Sequence, residues 1–328
     1  MALSYTIYEK GGYLGWSLSR FWGVSNWSST LNQRLEEDPV DAMEIEDIIG
    51  PFNKWEIKNS NLNYTEGHDY TEVRLVSSSL CRDNGWRGKD GAEQWDRVKL
   101  WSSTLIKNNT GYRFVRSGEL SDAIALCKEK TPLILDSVAC VSDSQFNAIK
   151  TYLSEGGIAW LNLPFGTHDE MGFERKIALS EILLKSRYRN LIVEDNAKAS
   201  DFLEMVIQKG IFEPVLKQTS GDTRWTARIR IYNNLTVMHF MNTALIPIPH
   251  QSVKDAGGVS VLKDIDSKIE DNNLTYQINT KKINLNELSV LSPELGEEQR
   301  KVSILHARRG YSTINVNLEG VKIYAVAQ

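Results

Sequence analysis

The hydrophobic pattern of this 328-residue chain changes its period once, near Trp225. Between residues 72 and 215, short apolar runs typical of buried strands alternate with segments in which apolar residues recur every three or four positions, as on one helix face. Strands separated by helices at this spacing indicate βαβ crossovers and a mostly parallel sheet covered on both faces. The sequence therefore predicts a doubly wound α/β domain over residues 67–215.

Local signals predict the elements of this domain. The predicted strands are Val73–Ser79, Tyr112–Val115, Pro132–Asp136, residues 158–164 and Leu191–Asp195. The predicted helices place Trp95, Val98, Trp101 and Leu105 on one face, begin near Ser121 with Ile124 and Cys127 inward, and include Leu179–Lys185 and Ser200–Lys209. Ser142 is a predicted N-cap with Gln145 as its capping-box partner, and Gly156 and Gly157 end that helix.

After Trp225 the period becomes two, which is typical of strands with one buried face. Two alternating runs meet at Asn233 and Asn234, which is a hairpin signal. Further short runs follow in LTYQINT, LSVLSP, KVSILHAR, STINVNL and VKIYAVA, and no helical period competes with them. Residues 216–328 are therefore predicted to form an antiparallel β-sandwich.

Composition and charge narrow the possible partners. Lysine and arginine total 38 against 42 acidic residues and are scattered along the chain, so no nucleic-acid partner is expected. No apolar run approaches the roughly 18 residues of a membrane span, and the first residues lack the regions of a signal peptide. We therefore expect no membrane partner and a cytoplasmic location for the chain as written.

The sequence predicts neither a metal site nor a cofactor. Cys81, Cys127 and Cys140 lack a CxxC spacing and are expected to be buried thiols. The histidines are isolated except in His168–Glu170, and one short loop seldom supplies a complete metal site. Neither a P-loop nor a GxGxxG motif is present.

The first 66 residues fit neither pattern. They contain one strand-like run, GYLGWSLSRFW, followed by polar and acidic stretches with further tryptophans. One strand and one or two helices cannot bury so many aromatic side chains, because a fragment of that size lacks a second layer. We therefore expect further sequence upstream of residue 1.

Two stretches of the α/β region resemble a domain of known multidomain enzymes: VRLVSSSLCRDNGW and LILDSVACVSDSQFNAIKTYLSEGGIAWLNLPFGTHDE. They are similar to the domain that follows the catalytic barrel in family-42 β-galactosidases and related glycoside hydrolases. That domain is called the β-galactosidase trimerisation domain, and its fold is similar to class I glutamine amidotransferases. VMHFMNT, LSVLSPE and GVKIYAVA resemble the β-sandwich that closes such enzymes, and YLGWSLSRFW resembles the last strand of their (β/α)8 barrel.

The resemblance implies that the chain is the C-terminal part of a larger carbohydrate-active enzyme. Residues 1–66 would be the remnant of the (β/α)8 catalytic barrel, 67–215 a flavodoxin-like, amidotransferase-like domain that mediates homo-oligomer formation, and 216–328 the β-sandwich. The catalytic carboxylates would lie on earlier barrel strands, so we expect no glycosidase activity from this chain alone. Glu9, the acidic residue near the barrel-like strand, is expected to be an exposed loop residue.

Carbohydrate contacts are predicted in two loops. The outgoing loop of the barrel-like strand contains Arg20, Trp22, Asn26 and Trp27, in which the indoles can stack on sugar faces and the polar groups can bind hydroxyls. Core packing is the alternative for Trp22. Trp86 lies in the polar loop after the first α/β strand, where it can complete a pocket; a solvated or interface loop is the alternative.

Two other functions stay open. The chain can be a non-catalytic carbohydrate-binding or assembly module whose N-terminal aromatic residues form the binding surface. It can also be an amidotransferase-like hydrolase with Cys140 as nucleophile and His168 with Glu170 as its partners, although SVACVSD lacks the glycines of a strained nucleophile elbow. We expect the polar groups of GTHDE to meet another domain or subunit rather than a substrate.

Overall fold

The computed structural model describes residues 55, 58–59, 68–232, 235–243, 271–283, 288–308, 310–321 and 324–328, and the backbone of residues 245–248 and 261–265. These residues form two compact units. The α/β unit comprises Thr71–Leu105 and Thr110–Pro214. The β unit comprises the described part of Val215–Gln328, Ile106–Asn109 and the described residues up to Tyr70.

The elements follow in chain order. The strands are β1 (His68–Asp69), β2 (Val73–Ser77), β3 (Tyr112–Arg116), β4 (Leu133–Asp136), β5 (Ala159–Leu163), β6 (Leu191–Asp195), β7 (Leu216–Ser220), β8 (Trp225–Tyr232), β9 (Leu235–Asn242), β10 (Leu245–Ile248), β11 (Val261–Ile265), β12 (Asn273–Asn279), β13 (Ser289–Leu291), β14 (Arg300–Lys301), β15 (Ser303–Arg308), β16 (Tyr311–Asn317) and β17 (Tyr324–Ala327). The helices are α1 (Ser79–Asp83), α2 (Gln94–Lys107), α3 (Ser117–Leu120), α4 (Ala123–Cys127), α5 (Asp143–Ser154), α6 (Leu179–Lys185) and α7 (Ala199–Gln208).

A parallel sheet forms the centre of the α/β unit, with strand order β3-β2-β4-β5-β6. One of its faces packs against α3 to α6 through a buried hydrophobic cluster. The other face packs against α2 and α7 through Trp101, Trp160 and Phe202, whose ring centroids lie 5.8–6.3 Å apart. The predicted parallel sheet with helices on both faces is confirmed.

The helix α5 begins and ends as its sequence predicts. The Ser142 hydroxyl accepts the N–H of Gln145, and the Gln145 amide oxygen accepts the N–H of Ser142, so the predicted capping box is present. At its other end Gly156 has φ +82°, a conformation that favours glycine. A Cβ on Gly157 would lie 2.2 Å from the Tyr152 ring, so this second glycine is needed for close packing.

The Tyr152 side chain joins this helix to the amino edge of the sheet. Its hydroxyl donates to the carbonyl of Thr131 at 2.8 Å and accepts the N–H of Ile158 at 3.2 Å. The guanidinium of buried Arg74 lies 4.9 Å from the ring centroid and donates to carbonyl oxygens near the end of α4 and in the turn before β4. Much of the YLSEGG motif is therefore explained by packing.

Three local predictions are wrong. The first strand ends at Ser77, because Ser78 caps the short helix α1 inside the predicted polar loop. Helix α4 begins after its N-cap, Asp122, and the Ile124 side chain is 76% exposed rather than packed in the core. Trp95 is 46% exposed on the first turn of α2 and packs against Phe114 of the edge strand β3.

The β unit contains antiparallel sheets with strand orders β1-β8-β9-β17-β13-β14, β15-β16-β12-β7 and β10-β11. The first two sheets share one buried cluster, which includes Trp225, Phe240, Tyr276 and Val316. The predicted hairpin is present, with Tyr232 of β8 opposite Leu235 of β9. The antiparallel architecture predicted for this part of the chain is confirmed.

The second face of the larger β sheet is buried and polar. His239 on β9 lies opposite Arg228 on β8, and both are at most 3% exposed. The His239 Nδ1 and the Tyr324 hydroxyl are 2.6 Å apart, and Asp69 accepts a hydrogen bond from Arg230 at 2.8 Å. Burial, with the two nearby guanidinium groups, lowers the pKa of His239 to about 3, so the imidazole is neutral in the folded state.

Two tyrosine-to-phenylalanine variants should have different effects on stability. Tyr152→Phe removes a hydroxyl with backbone partners and should lower the free energy of unfolding by about 1–3 kcal/mol. Among the residues that the structure describes, none hydrogen-bonds to the buried Tyr276 hydroxyl, so Tyr276→Phe should be neutral or stabilising by up to about 1 kcal/mol. Urea denaturation of both variants is the measurement. An equal loss in both would contradict the assignment.

Acid should destabilise the fold through His239. Since its pKa is lower folded than unfolded, the unfolded chain binds the extra proton between about pH 6.5 and pH 3, and stability falls as the pH falls through this window. The loss approaches about 1.4 kcal/mol per pH unit relative to His239→Gln. Urea midpoints from pH 7 to pH 4.5 would measure it. A His239→Gln variant with the same slope as the unaltered chain would contradict this assignment.

Candidate functional site

The carboxyl edge of the parallel sheet is the natural place for a site in this fold. Strand β3 follows β2 on one side, whereas β4 lies on the other side of β2. Ligands in open α/β sheets bind in the crevice outside the carboxyl ends of the strands where the order reverses in this way. The residues after β2 and β4, from Ser78 and from Ser137, therefore define the candidate site.

A buried carboxylate, that of Asp136, lies at the end of β4. Its Oδ2 accepts hydrogen bonds from the indole N–H of Trp101 at 2.7 Å and from the Asn162 amide at 2.9 Å. Its Oδ1 accepts the Ser137 hydroxyl at 2.8 Å. Asn162 also exchanges two hydrogen bonds with the backbone of Ala197, at 2.8 and 2.9 Å. The carboxylate is thus occupied by internal donors.

Gln94, at the start of α2, closes the gap between β2 and β4. Its side-chain amide donates to the carbonyls of Val76 and Asp136, at 3.1 and 3.2 Å. Its amide oxygen accepts the N–H of Ser78 at 3.2 Å. Since Gln94 is 3% exposed, the crevice at this point is filled by a side chain of the chain itself.

Ser137, rather than Cys140, has the strained backbone conformation expected of a nucleophile elbow. Its φ is +53°, which is uncommon outside glycine and occurs where a strand turns sharply. The hydroxyl points back to Asp136, however, and α5 begins only at Asp143. The sequence signal for this turn is the Asp136-Ser137 pair, in which the buried strand β4 ends at Asp136.

Cys140 lacks the surroundings of an activated nucleophile. It is 1% exposed, and its backbone N–H donates to the Cys81 sulfur at 3.3 Å. Hydrogen bonding to Cys81 and burial raise the pKa of the Cys140 thiol. His168 lies close in the backbone pairing, but its Nδ1 contacts the Thr167 hydroxyl at 2.9 Å. The hydrogen bonds of the described residues include none between this imidazole and the thiol.

The loop at residues 166–178, which contains GTHDE, is held by internal hydrogen bonds and by backbone pairing. His168 pairs with Cys140 on one side and with Glu174 on the other. The Asp169 carboxylate accepts the N–H groups of Met171 and Phe173, both at 2.9 Å. The loop is therefore held by its own backbone and by the turn before α5.

Arg175 fastens the same loop from the other side. Its guanidinium donates to the carbonyl of Val141 and to the carboxylate of Asp143, both at 3.0 Å. The backbone N–H of Arg175 donates to the carbonyl of Thr167 at 2.8 Å. Across from it, the Asn84 amide donates to the carbonyl of Glu170 at 3.0 Å. Polar groups of GTHDE are thus used mainly inside the unit.

Three large apolar side chains project from this loop. Met171, Phe173 and Ile177 are 69%, 70% and 53% exposed. These three side chains are not among the predicted site residues, although the run MGF within a polar loop is a visible signal. Aromatic and methionine side chains are enriched at protein interfaces.

The predicted carbohydrate contacts are only partly placed. Arg20, Trp22, Asn26 and Trp27 lie outside the described residues, as does Glu9. The Trp86 side chain is half-buried and packs against the cluster of Cys81, Ala139 and Cys140, and the backbone N–H of Trp86 donates to the carbonyl of Cys81 at 2.8 Å. Packing thus accounts for part of the Trp86 side chain. Sugar contact by Trp86 and by the four residues outside the described part of the chain stays a prediction.

Two further features concern the described part of the chain, namely metal-binding clusters and membrane-spanning helices. No group of three or more His, Cys, Asp or Glu side chains there is arranged to hold a metal ion. None of the helices described has both the length and the apolar character that crossing a membrane requires.

Comparison with known proteins identifies the fold. An α-L-fucosidase isoenzyme 2 from Paenibacillus thiaminolyticus superposes with a TM-score of 0.52 at 10% identity, over 83% of this chain and 50% of that one. The GH42 β-galactosidase Gan42B from G. stearothermophilus gives 0.47 at 10% identity, over 79% and 40%. A GH42 exo-carrageenase from Bacteroides ovatus gives 0.39 at 14%, over 76% and 29%.

Structures of glycoside hydrolase family 42 are thus among those that the chain resembles, at TM-scores below 0.5. At these identities the likeness concerns the fold alone. The chain spans at most half the length of each of these three structures. No protein-family model matches the chain, and no curated protein matches it in sequence.

Replacing the buried carboxylate should destabilise the α/β unit. Asp136→Asn places amide hydrogens among three donors and should lower the free energy of unfolding by about 2–3 kcal/mol. Asp143→Asn, at a carboxylate that is 79% exposed, should change it by less than about 1 kcal/mol. Urea denaturation followed by circular dichroism compares the two. Equal values would show that the Asp136 bonds contribute little.

Proposed function

We propose that this chain is a structural and self-association region of a carbohydrate-active enzyme and that it has no glycosidase activity of its own. The observation that carries this proposal is the filled carboxyl edge, where Gln94 and Asp136 occupy the place of a ligand or catalytic group. A fold found in glycoside hydrolases supports the link to carbohydrate.

The finer identity of the α/β unit belongs to the same proposal. Counted within this sheet, the strand order is 2-1-3-4-5, which is the order of flavodoxin-like folds and supports an amidotransferase-like domain. We propose the boundaries 1–66, 67–215 and 216–328 for a barrel remnant, this domain and a β-sandwich. Thiol hydrolysis by Cys140 is disfavoured, because the thiol is buried and its pKa is raised.

Carbohydrate recognition is assigned to the complete enzyme. The residues proposed to contact the substrate are Arg20, Trp22, Asn26, Trp27 and Trp86. In this proposal the upstream part of the barrel supplies the catalytic carboxylates, and the α/β domain of this chain holds the subunits of the enzyme together.

The partner of the 166–178 loop is proposed to be a second copy of this chain. Around Met171 and Phe173 the loop carries the exposed carboxylates Glu170 and Glu174. The complementary surface follows in the same sequence: α6 exposes Ile182 and Leu184, and basic side chains come directly after them. These exposed basic residues are Lys185, Arg187 and Arg189. Apolar contacts ringed by opposite charges favour association of the two surfaces across two subunits.

Self-association should depend on Phe173. Phe173→Asp places a charge in the apolar centre of the proposed contact and should convert an oligomer to monomer, with at least a tenfold loss of affinity at a cost of about 1.4 kcal/mol or more. Light scattering coupled to size exclusion, over a range of protein concentrations, measures the mass. Ile124→Asp is the matched control, since Ile124 is 76% exposed on α4.

Two outcomes would contradict the proposal. A wild-type chain that stays monomeric at the highest concentration excludes self-association. An oligomer that both variants retain places the interface elsewhere. Separately, turnover of a chromogenic galactoside by the purified chain would contradict the non-catalytic role.

A further inference from the structure

Two cysteines meet beneath the 166–178 loop. Cys81 lies in α1 and Cys140 in the turn between β4 and α5, and both are 1% exposed. They form a small apolar cluster with Ala139, which Leu80 and Trp86 cover. The backbone N–H of Cys140 donates to the Cys81 sulfur at 3.3 Å. The two side chains are 59 positions apart in sequence, yet they touch without a bond between them.

The surroundings distinguish the two sulfur atoms chemically. Hydrogen bonds from the Cys140 side chain, the Ser78 side chain and the N–H of Cys140 outweigh burial and lower the pKa of Cys81 to about 7. The same contact and burial raise the pKa of Cys140. One thiolate beside one protonated thiol is the arrangement in which the first sulfur reacts and the second resolves.

The geometry points to a reversible disulfide between Cys81 and Cys140, formed by a peroxide. The Cys81 thiolate attacks one oxygen of hydrogen peroxide, the O–O bond breaks, and hydroxide leaves, which gives a sulfenic acid on Cys81. The Cys140 sulfur then attacks the Cys81 sulfur, its proton passes to the departing oxygen, and water leaves. Overall, two thiols and one peroxide give one disulfide and two waters, and a dithiol reductant reverses the change.

Such a bond would fasten α1 to the turn that supports the 166–178 loop. Cys140 pairs with His168 in that loop, and α1 is followed by Asn84, which already donates to the carbonyl of Glu170 at 3.0 Å. The disulfide would add a covalent link between these two supports. We therefore expect lower amide hydrogen exchange in residues 166–178 of the oxidised protein.

Peptide mapping tests the bond directly. The purified full chain is treated with a small excess of hydrogen peroxide, unfolded in an alkylating reagent and digested without reduction. The expected product is a cross-linked peptide pair that contains Cys81 and Cys140 and has lost two hydrogen atoms, whereas Cys127 is recovered alkylated. Dithiothreitol should restore alkylation of both.

Controls separate the pair from general thiol oxidation. Cys127→Ser should form the same cross-link, because Cys127 is the third cysteine and lies outside the cluster. Cys140→Ser should leave Cys81 to proceed to sulfinic acid. A cross-link that includes Cys127, or recovery of both Cys81 and Cys140 as thiols from the folded wild-type chain, would overturn the proposal.

Discussion

The hydrogen bonds to the Asp136 carboxylate hold together the elements at the carboxyl edge of the parallel sheet. A carboxylate removed from water is tolerated only when donors replace its solvation. Here Trp101, Asn162 and Ser137 supply them, from a helix, a neighbouring strand and the following turn. The same bonds also join the elements around this edge of the sheet. The donors that stabilise the Asp136 carboxylate therefore also close the crevice.

The opposite edge of the sheet is closed by a different chemistry. There the charge is positive, since Arg74 donates to three backbone carbonyls and stacks on Tyr152. The carbonyls at the end of α4 need donors, and a guanidinium offers several in one plane. Gly157 completes the arrangement, because a larger residue would displace the Tyr152 ring. Both ends of the parallel sheet are thus fixed by single buried charges with polar partners.

The sequence predicts the parts of this architecture that depend on near neighbours. The Ser142–Gln145 capping box, the bounds of α6 and the β8–β9 hairpin each follow from residues a few positions apart. The inward position predicted for Ile124 on α4 is wrong because this five-residue helix contains two large apolar residues close together, and it is Leu126 rather than Ile124 that packs in the core. The Asp136 network escaped prediction, since its partners are 35 and 26 positions away.

The strained turn at Ser137 shows how a site-like geometry can serve packing instead. A φ of +53° in a residue other than glycine costs about 1 kcal/mol or more and persists only when its surroundings hold it. In this unit the Ser137 N–H donates to the Asn162 carbonyl at 3.0 Å, and the hydroxyl donates to Asp136. The turn that would lift a nucleophile above the sheet therefore returns its hydroxyl to the interior. Because the crevice is closed in this way, the remaining candidates for function in this unit are the buried thiol pair of Cys81 and Cys140 and the exposed apolar side chains of the 166–178 loop.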